Sequence, residues 1–477
     1  MVFSSITFLF YFLPIVLITY YITPNKFKNI ILLLFSLFFY FFGEPKYVVL
    51  MITSIISTYV FGMLIDKFKK HKKILLPIFL AITIGTLIYF KYTNFLIENI
   101  NLWLKNKIDF INVILPIGIS FYTFQMISYI IDVYRGEVKV QKNILNLALY
   151  VSLFPQLIAG PIVRYSSIEE QLQNRTHTFE KFAVGVRKFI IGLGKKVLIA
   201  NCLGELNSIF LRGNDISVLF FWIYAISVML QIYFDFSGYS DMAIGLGKMF
   251  GFEFNENFNY PYIAKSITDF WRRWHMSLSS WFKDYVYIPL GGNRTSKIKW
   301  IRNILIVWFL TGLWHGAAWN FIMWGMYFGV ILIIEKLISS KISINNKIIK
   351  SIFSRVYVLI TVMISFVIFN TEELSQIKQN ICGLFGFGNF TLVSKQSLYY
   401  LSSYAGILII AMIASTPICK NFCNKFLSEN SNFKNNKAIV ITKIINIVEP
   451  IYLLLILVLS TSYIIDGSFN PFLYFRF

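Results

Sequence analysis

The sequence predicts an all-α polytopic membrane protein, folded as one integral domain over residues 1–477. Three observations predict it. Hydrophobic residues make up 57% of the chain and charged residues only 14%, where soluble domains carry about 25% charged residues. Mean hydropathy is +0.64. Apolar runs recur from end to end, many of them near the ~20 residues a helix needs to cross ~30 Å of hydrocarbon. The 49 Phe and 28 Tyr suit lipid-facing surfaces and interfacial belts. The net charge of +21 would also fit a nucleic-acid binder. The lysines, however, lie between apolar runs and not along one soluble face. Nucleic acid is therefore set aside as a partner, and a lipid bilayer with anionic headgroups takes its place.

The elements follow in order. Met1–Ile22 has no basic leader and no small-residue cleavage site after it, so it reads as a retained first span. Pro24 ends it. Asn29–Phe42 and Lys46–Ile65 are apolar runs separated by Gly43, Glu44 and Pro45. Asp66–Lys73 carries Lys67, Lys69, Lys70, Lys72 and Lys73, and Ile74–Phe90 is the fourth run. The loops after the first and third runs are lysine-rich and the loop after the second is not, which predicts an extracytoplasmic N-terminus in the bacterial cytoplasmic membrane.

Val113–Ile131 is the next run. Asn146–Arg164 contains LFPQLIAGPIVR, in which Pro155, Gly160 and Pro161 interrupt a helix repeatedly. Such a stretch predicts a re-entrant segment, and broken backbone at membrane depth must be buried in protein or line a cavity. Ser166–Lys196 reads as cytoplasmic interfacial helices. Ile216–Phe236 spans again and runs into FDFSGYSDMAIGLG, whose Asp235, Tyr239 and Asp241 are candidate cavity-lining residues. Two carboxylates without a basic or histidine partner in sequence are weak evidence for a metal, and no metal is predicted. Ile267–Arg294, with Arg272, Arg273, His275 and Lys283 among Trp271, Trp274 and Trp281, suits a helix at the cytoplasmic membrane face. A span beginning near Ile304 leads into Phe321–Ile338, where Gly325 and Gly329 have close-packing spacing. Phe353–Asn370, Ser397–Ile418 and Ile445–Ile465 complete about eleven spanning or partly spanning runs. Cys202, Cys382, Cys419 and Cys423 read as ordinary thiols.

The stretch with chemical content is Trp308–Phe321, WFLTGLWHGAAWNF. His315 stands alone in an apolar run, flanked by Gly312, Gly316, Ala317 and Ala318 and surrounded by Trp308, Trp314, Trp319 and Trp324. A titratable side chain in such a run marks a functional site facing a protein interior or a water-filled cavity. The alternative is a packed histidine satisfied by one carbonyl. Trp314 and Asn320 join the candidate cavity-lining residues. Of the four histidines, His71 and His177 lie in polar loops and read as solvated. His275 and His315 remain, and imidazole suits general-base chemistry near neutral pH. Walker, HExxH and GxSxG motifs are all missing, and ATP hydrolysis is not expected of this chain.

WRRWHMSLSSWFKDYVYIPLGGNR, LTGLWHGAAWNFIMWG, YFDFSGYSDMAIGLGKMFGFEFNENFNYPY and FPQLIAGPIVRY together resemble the membrane-bound O-acyltransferase (MBOAT) family, and within it the alginate O-acetylation branch. The opening MVFSSITFLFYFLPIVLITYY and the ending NPFLYFRF strengthen the likeness. The resemblance implies a ring of membrane helices around a thin core with a central tunnel. It implies His315 as the catalytic histidine and His275 as the second polar position. It also implies an acyl thioester donor from the cytoplasm, acetyl-CoA being the expected one, with no bound cofactor. Arg272, Arg273 and Lys283 are candidate donor-binding cations, with lipid-headgroup anchoring as the alternative. The implied acceptor is an extracytoplasmic polysaccharide, reached through a separate acetyltransferase or polysaccharide-synthesis partner. D-alanyl transfer to teichoic acid is the alternative within the family, and a polysaccharide channel or transporter scaffold the alternative outside it.

Overall fold

The computed structural model describes residues 2–158, 160–213, 215–338, 346–422 and 436–467, and the secondary structure among them is helical. A turn of π-helix, Thr7–Phe12, leads into α1 (Leu13–Ile22), followed by α2 (Lys28–Gly43), α3 (Val48–Lys67), α4 (Lys72–Asn101) and α5 (Ile119–Arg135). The middle of the chain forms α6 (Ile144–Ser152), α7 (Phe154–Leu157), α8 (Tyr165–Gln173), α9 (Phe179–Gly194), α10 (Asn201–Arg212) and α11 (Val218–Met249). Two short helices, α12 (Ile267–Trp271) and α13 (Met276–Phe282), precede α14 (Lys297–His315) and α15 (Trp319–Ile338). The remainder is α16 (Lys347–Asn370), α17 (Leu374–Leu384), α18 (Lys395–Ala414) and α19 (Asn436–Ile465).

Eight of these helices are long and apolar enough to cross a membrane among the described residues, and Thr7–Ile22 is a shorter apolar helix. Two further expected runs are helical but fall outside that measure for visible reasons. α5 has only 17 residues, and α14 begins with Lys297, Lys299 and Arg302. The fourth run is longer than its apolar core suggested, because α4 continues unbroken through Lys91 to Asn101. The ending NPFLYFRF and Cys423 lie outside the described residues; Cys202, Cys382 and Cys419 are free thiols.

The broken segment is broken as its prolines and glycine require. α6 stops at Ser152, Leu153 leaves helical geometry, and Pro155 sits in the first turn of the four-residue α7. Gly160 takes φ +126°, which only glycine adopts freely. Leu153, Phe154, Gln156 and Leu157 are all fully buried. Two orphaned amides find side-chain acceptors: Phe154 N–H donates to Ser36 Oγ (3.2 Å) and Ile162 N–H to Ser277 Oγ (2.9 Å). Irregular backbone enclosed by protein is the form such a segment must take in an apolar setting.

α11 is the central post. It runs for 32 residues and remains helical through FDFSGYSDMAIGLG, which sequence alone divides into a span and a polar continuation. The cause is glycine on both sides of its contact with α9. A Cβ at Gly192 would lie 2.5 Å from the Gly238 carbonyl oxygen, and one at Gly185 would lie 2.7 Å from that of Gly245. The two backbones touch where side chains would hold them apart. α9, read from sequence as an interfacial helix, therefore buries Gly185, Phe189 and Gly192 against this post. α14 and α15 pack by the same device, since a Cβ at Gly325 would lie 2.3 Å from the Trp308 carbonyl oxygen.

His177 corrects a sequence reading, being half-buried where a solvated residue was expected. Its Nε2 lies 2.8 Å from Tyr20 Oη at the end of α1, and Tyr20 in turn donates to the Phe250 carbonyl (2.9 Å). Arg175 Nε donates to the same Tyr20 oxygen (3.0 Å) and Lys181 Nζ to the Gly251 carbonyl (2.8 Å). Burial first, and then the nearby Lys28, Arg175 and Lys181 charges, push the imidazole down from 6.5 to about 4.

Two outcomes follow from this packing. Gly325→Ala should lower stability by about 1–3 kcal/mol through overpacking, read as the thermal midpoint of the detergent-solubilised protein. Gly85→Ala, with no atom within 4 Å of the added methyl, should be neutral or gain about 0.4–1 kcal/mol. The His177 ring is held neutral, so the stability it contributes is present above pH 6.5 and is lost as pH falls from there toward about 4. His177→Gln should flatten the fall in thermal midpoint over that window.

Candidate active site

α14 ends at His315 because Gly316 turns to an extended conformation (φ −171°, ψ 160°), and α15 begins three residues later. The last carbonyls of a helix have no partner within it, and these end inside the protein. Two adjacent residues of α4 supply donors. Tyr92 Oη donates to the Leu313 carbonyl (2.6 Å), and Lys91 Nζ to those of Trp314 (2.5 Å) and His315 (3.4 Å). Lys91 also donates to Ser120 Oγ (3.3 Å) at the start of α5. A cation at a helix C-terminus is further favoured by the helix dipole.

The His315 imidazole is 5% exposed. It meets the Trp324 and Phe369 rings edge-on at centroid distances of 4.9 and 5.2 Å, and the Trp314 ring at 5.0 Å. It lines a cavity of about 70 Å³ with Lys91, Ser120, Phe121, Ile158 and Trp314. A second cavity of about 300 Å³ shares Lys91 and Leu115 with the first and is lined by Asn320, Phe321, Phe369, Asn370 and Glu372.

His275 reaches the same place from another direction. It caps α13 in the left-handed conformation (φ +43°), which is costly for a residue with a side chain. Asn257 holds it there. The Asn257 Oδ1 lies 3.2 Å from His275 Nδ1 and accepts from Ser277 N (3.2 Å) and Ser277 Oγ (2.9 Å). Its Nδ2 donates to Ser240 Oγ (3.1 Å) and the Gly160 carbonyl (3.5 Å), which couples this turn to α11 and to the broken segment. The His275 ring packs on Trp314 (5.9 Å), so the two histidines, forty residues apart in sequence, face one indole. His275 Nε2 and Trp314 Nε1 are buried with no hydrogen-bond partner among the described residues. Buried polar atoms left unsatisfied are rare and call for a ligand, a water or a reacting group.

The expected site residues fall in different places. Asp235 and Asp241 line neither cavity beside His315. They do have basic partners, and these come from α9 and the segment that follows it. Asp235 pairs with Lys196 at 2.5 Å, both 2% exposed, and Asp241 pairs with Lys195 at 2.6 Å and Lys188 at 3.5 Å. A buried carboxylate needs such a partner, and these pairs bind α11 to its neighbour. Tyr239 also lies outside both cavities and stacks on Phe3 (4.6 Å). Arg272, Arg273 and Lys283 do not line either cavity. Arg273 is held by Asp269 (2.9 Å) and the Asn259 carbonyl (3.3 Å), while Arg272 and Lys283 are exposed. Trp314 lines the smaller cavity and Asn320 the larger.

Lys91 and Asn257 were not foreseen. Lys91 is the lone cation between Lys73 and Lys105, and a cation inside an apolar run was itself the signal. Sequence reading used it only to end the run at Phe90. Asn257 gives no such signal, because a polar residue among NENFNY is unremarkable in sequence. Lys91→Met should abolish the activity that depends on His315 and cost about 1–3 kcal/mol by leaving the Trp314 carbonyl unpaired. Activity in membranes and thermal midpoint after solubilisation measure the two effects.

The profile of the MBOAT, membrane-bound O-acyltransferase family matches residues 135–375, which include both histidines. Over 502 aligned residues the chain is 38% identical to a protein of Azotobacter vinelandii named "Probable alginate O-acetylase AlgI", covering 100% of both chains. It is 32% identical over 514 aligned residues to the peptidoglycan O-acetyltransferase of Helicobacter pylori, covering 100% of this chain and 98% of that one. It is 35% identical over 236 residues to the teichoic acid D-alanyltransferase of Bacillus subtilis, covering 46% of this chain and 59% of that one. With a family profile over half its length and end-to-end similarity to such relatives, this multi-pass membrane chain belongs to the membrane-bound O-acyltransferase family.

Proposed function

We propose that the protein transfers an acetyl group from a cytoplasmic thioester, acetyl-CoA, for O-acetylation of an extracytoplasmic polysaccharide. The observation that carries this reading is the His315 imidazole on a cavity wall, its backbone fixed by Lys91 and its ring packed on the Trp314 ring that His275 also meets. In this mechanism His315 takes the proton of the acceptor hydroxyl as the oxygen attacks the thioester carbonyl carbon. The carbon–sulfur bond then breaks, and the thiolate leaves with that proton. His275, fixed by Asn257, orients the Trp314 wall opposite the reacting carbonyl. Arg272 and Lys283, exposed near α13, attract the donor's phosphates to the membrane surface.

Helix geometry supports the orientation. α14 begins at Lys297 and α4 at Lys72, on the lysine-rich side. His315 and Lys91 each lie about 27–29 Å along their helices at 1.5 Å per residue. By the positive-inside bias the lysine-rich ends are cytoplasmic and the N-terminus extracytoplasmic. Both cavities then lie toward the acceptor's side of the membrane. The whole-length likeness to a peptidoglycan O-acetyltransferase and an alginate O-acetylase favours acetate as the group moved. An extracytoplasmic acetyltransferase partner would carry the group onward to the polymer.

His315→Ala should abolish polymer acetylation, a loss of at least about 10²–10⁴-fold in rate, while membrane insertion and thermal midpoint are kept. Acetate released by mild base from purified polymer is the measurement. Retained acetylation by this variant would remove His315 from the mechanism, and D-alanine in place of acetate would replace the donor group.

A further inference from the structure

A third cavity, of about 640 Å³, opens where α3 and α5 end and α4 begins. Its volume lies within the ~300–1,000 Å³ of clefts that hold small molecules. It is remote from His315, since Ser120 and Arg135, at the two ends of α5, stand about 22 Å apart at 1.5 Å per residue. Lys69, Lys72, Arg135, Lys139 and Lys142 line it, against the carboxylates of Asp66 and Glu169. Neither carboxylate forms an ion pair among the described residues. Of the five cations only Arg135 does, with the exposed Glu137 at 3.8 Å. The protein itself leaves the excess of positive charge in this cavity unbalanced.

The cations stand on a fixed frame. Gln141, 6% exposed, takes three hydrogen bonds: its N–H donates to Tyr129 Oη (2.9 Å), its Nε2 donates to Tyr165 Oη (2.9 Å), and its Oε1 accepts from Asn143 N (2.9 Å). Tyr59 Oη, from α3, donates to the Lys142 carbonyl (2.8 Å). Gly62 lets α3 come close, because a Cβ there would lie 3.3 Å from Tyr129 Oη and 3.5 Å from Val140 Cγ2. The strap between α5 and α6, which carries Lys139 and Lys142, is thereby tied to α3 and α5.

Helix electrostatics explain one of these cations and not another. Lys72 Nζ donates to the Tyr134 carbonyl (3.0 Å) in the last turn of α5 and lies over the Tyr134 ring (4.7 Å). A cation belongs at such a helix end. Lys142 is in the opposite setting. It directly precedes Asn143, the N-cap of α6, where the helix dipole disfavours a cation and favours an anion. α4 begins beside the same cavity, and its N-cap residue, His71, offers no side-chain acceptor. Both helix starts, like the unpaired lysines, are matched by a bound anion. The helices that meet here also expose apolar side chains, Ile56 and Val60 on α3 and Ile74 and Ile78 on α4.

We propose that this cavity binds the phosphate of an acidic phospholipid headgroup, with the acyl chains lying along the exposed apolar surfaces of α3 and α4. The phosphate meets Lys139 and Lys142 from the strap and the free donors of Lys72 from α4. The site is independent of acyl transfer. On the orientation proposed above it faces the cytoplasmic leaflet, whose anionic lipids attract basic segments next to spanning helices.

The full chain in detergent is titrated with phosphatidylglycerol and, separately, with phosphatidylcholine, and bound lipid is counted by native mass spectrometry. Both faces of the protein are accessible in detergent, so the result does not depend on orientation. Phosphatidylglycerol should bind about tenfold more tightly than phosphatidylcholine. The double substitution Lys139→Gln with Lys142→Gln, at exposed positions where folding is not at issue, should remove that preference. Lys297→Gln with Lys299→Gln, two exposed lysines at the start of α14, should leave it intact. Neither inorganic phosphate nor CoA, at the lipid's own concentration, should displace the bound phosphatidylglycerol. Equal binding of the two lipids, or an equal loss of preference in both double variants, overturns the site. Displacement by phosphate or CoA overturns the lipid as its occupant. None of these results bears on acetyl transfer at His315, which is read separately from polymer acetate.

Discussion

The structure around His315 depends on how one helix end is satisfied. A helix that stops inside a protein leaves carbonyls facing an apolar interior, and each unmet carbonyl costs as much as a lost hydrogen bond or more. Here three consecutive carbonyls, those of Leu313, Trp314 and His315, are met by two consecutive side chains, Tyr92 and Lys91. Because both donors come from one turn of α4, the position of α4 sets the position of the imidazole. The same helix reaches the turn after His315 through Asn99, whose Oδ1 accepts from Trp319 Nε1 at 3.0 Å. The catalytic candidate is thus positioned by backbone hydrogen bonding, while its ring stays among aromatic edges.

Close backbone packing makes that arrangement possible. Gly312, Gly316 and Gly325 bring α14 and α15 near enough for the Gly312 and Phe321 backbones to touch. The glycines shared by α9 and α11 do the same for the central post. Without side chains between them, helices in an apolar medium gain dispersion contacts that lipid cannot match. The buried Asp235–Lys196 pair and the Asp241 pairs then fix the register of α11 against its neighbour. A charge pair of this kind is a poor source of stability, but breaking it by removing one partner is severe. These carboxylates therefore organise the wall behind the site without facing the site.

The broken segment and His275 form a second support. Gly160, Ile162, Ser240, Asn257 and Ser277 are linked by hydrogen bonds into one unit, and His275 is held through it in a left-handed conformation. Strain of this sort persists where the surroundings over-determine it. Here the surroundings are a buried amide and a re-entrant turn, and the result is a ring packed against Trp314, the indole that His315 also meets.

The sequence by itself determined the class and pointed to where chemistry is to be sought. Composition and run lengths required a helical membrane protein, because only helices satisfy every backbone group within one segment. A lone histidine among glycines and tryptophans marked the candidate site, and Pro155, Gly160 and Pro161 marked the break. Those features are legible because each depends on residues adjacent in the chain. Tertiary structure alone decided which polar groups meet. Asp235 and Asp241 looked unpartnered because Lys196, Lys195 and Lys188 lie some forty to fifty positions away in sequence, and only the α9–α11 glycine contact brings them together. Lys91 looked like the end of a span because its partner, the Trp314 carbonyl, is 223 residues distant. Buried polar groups are paired by the fold and not by their neighbours in sequence, so their roles could be read only once the helices were packed.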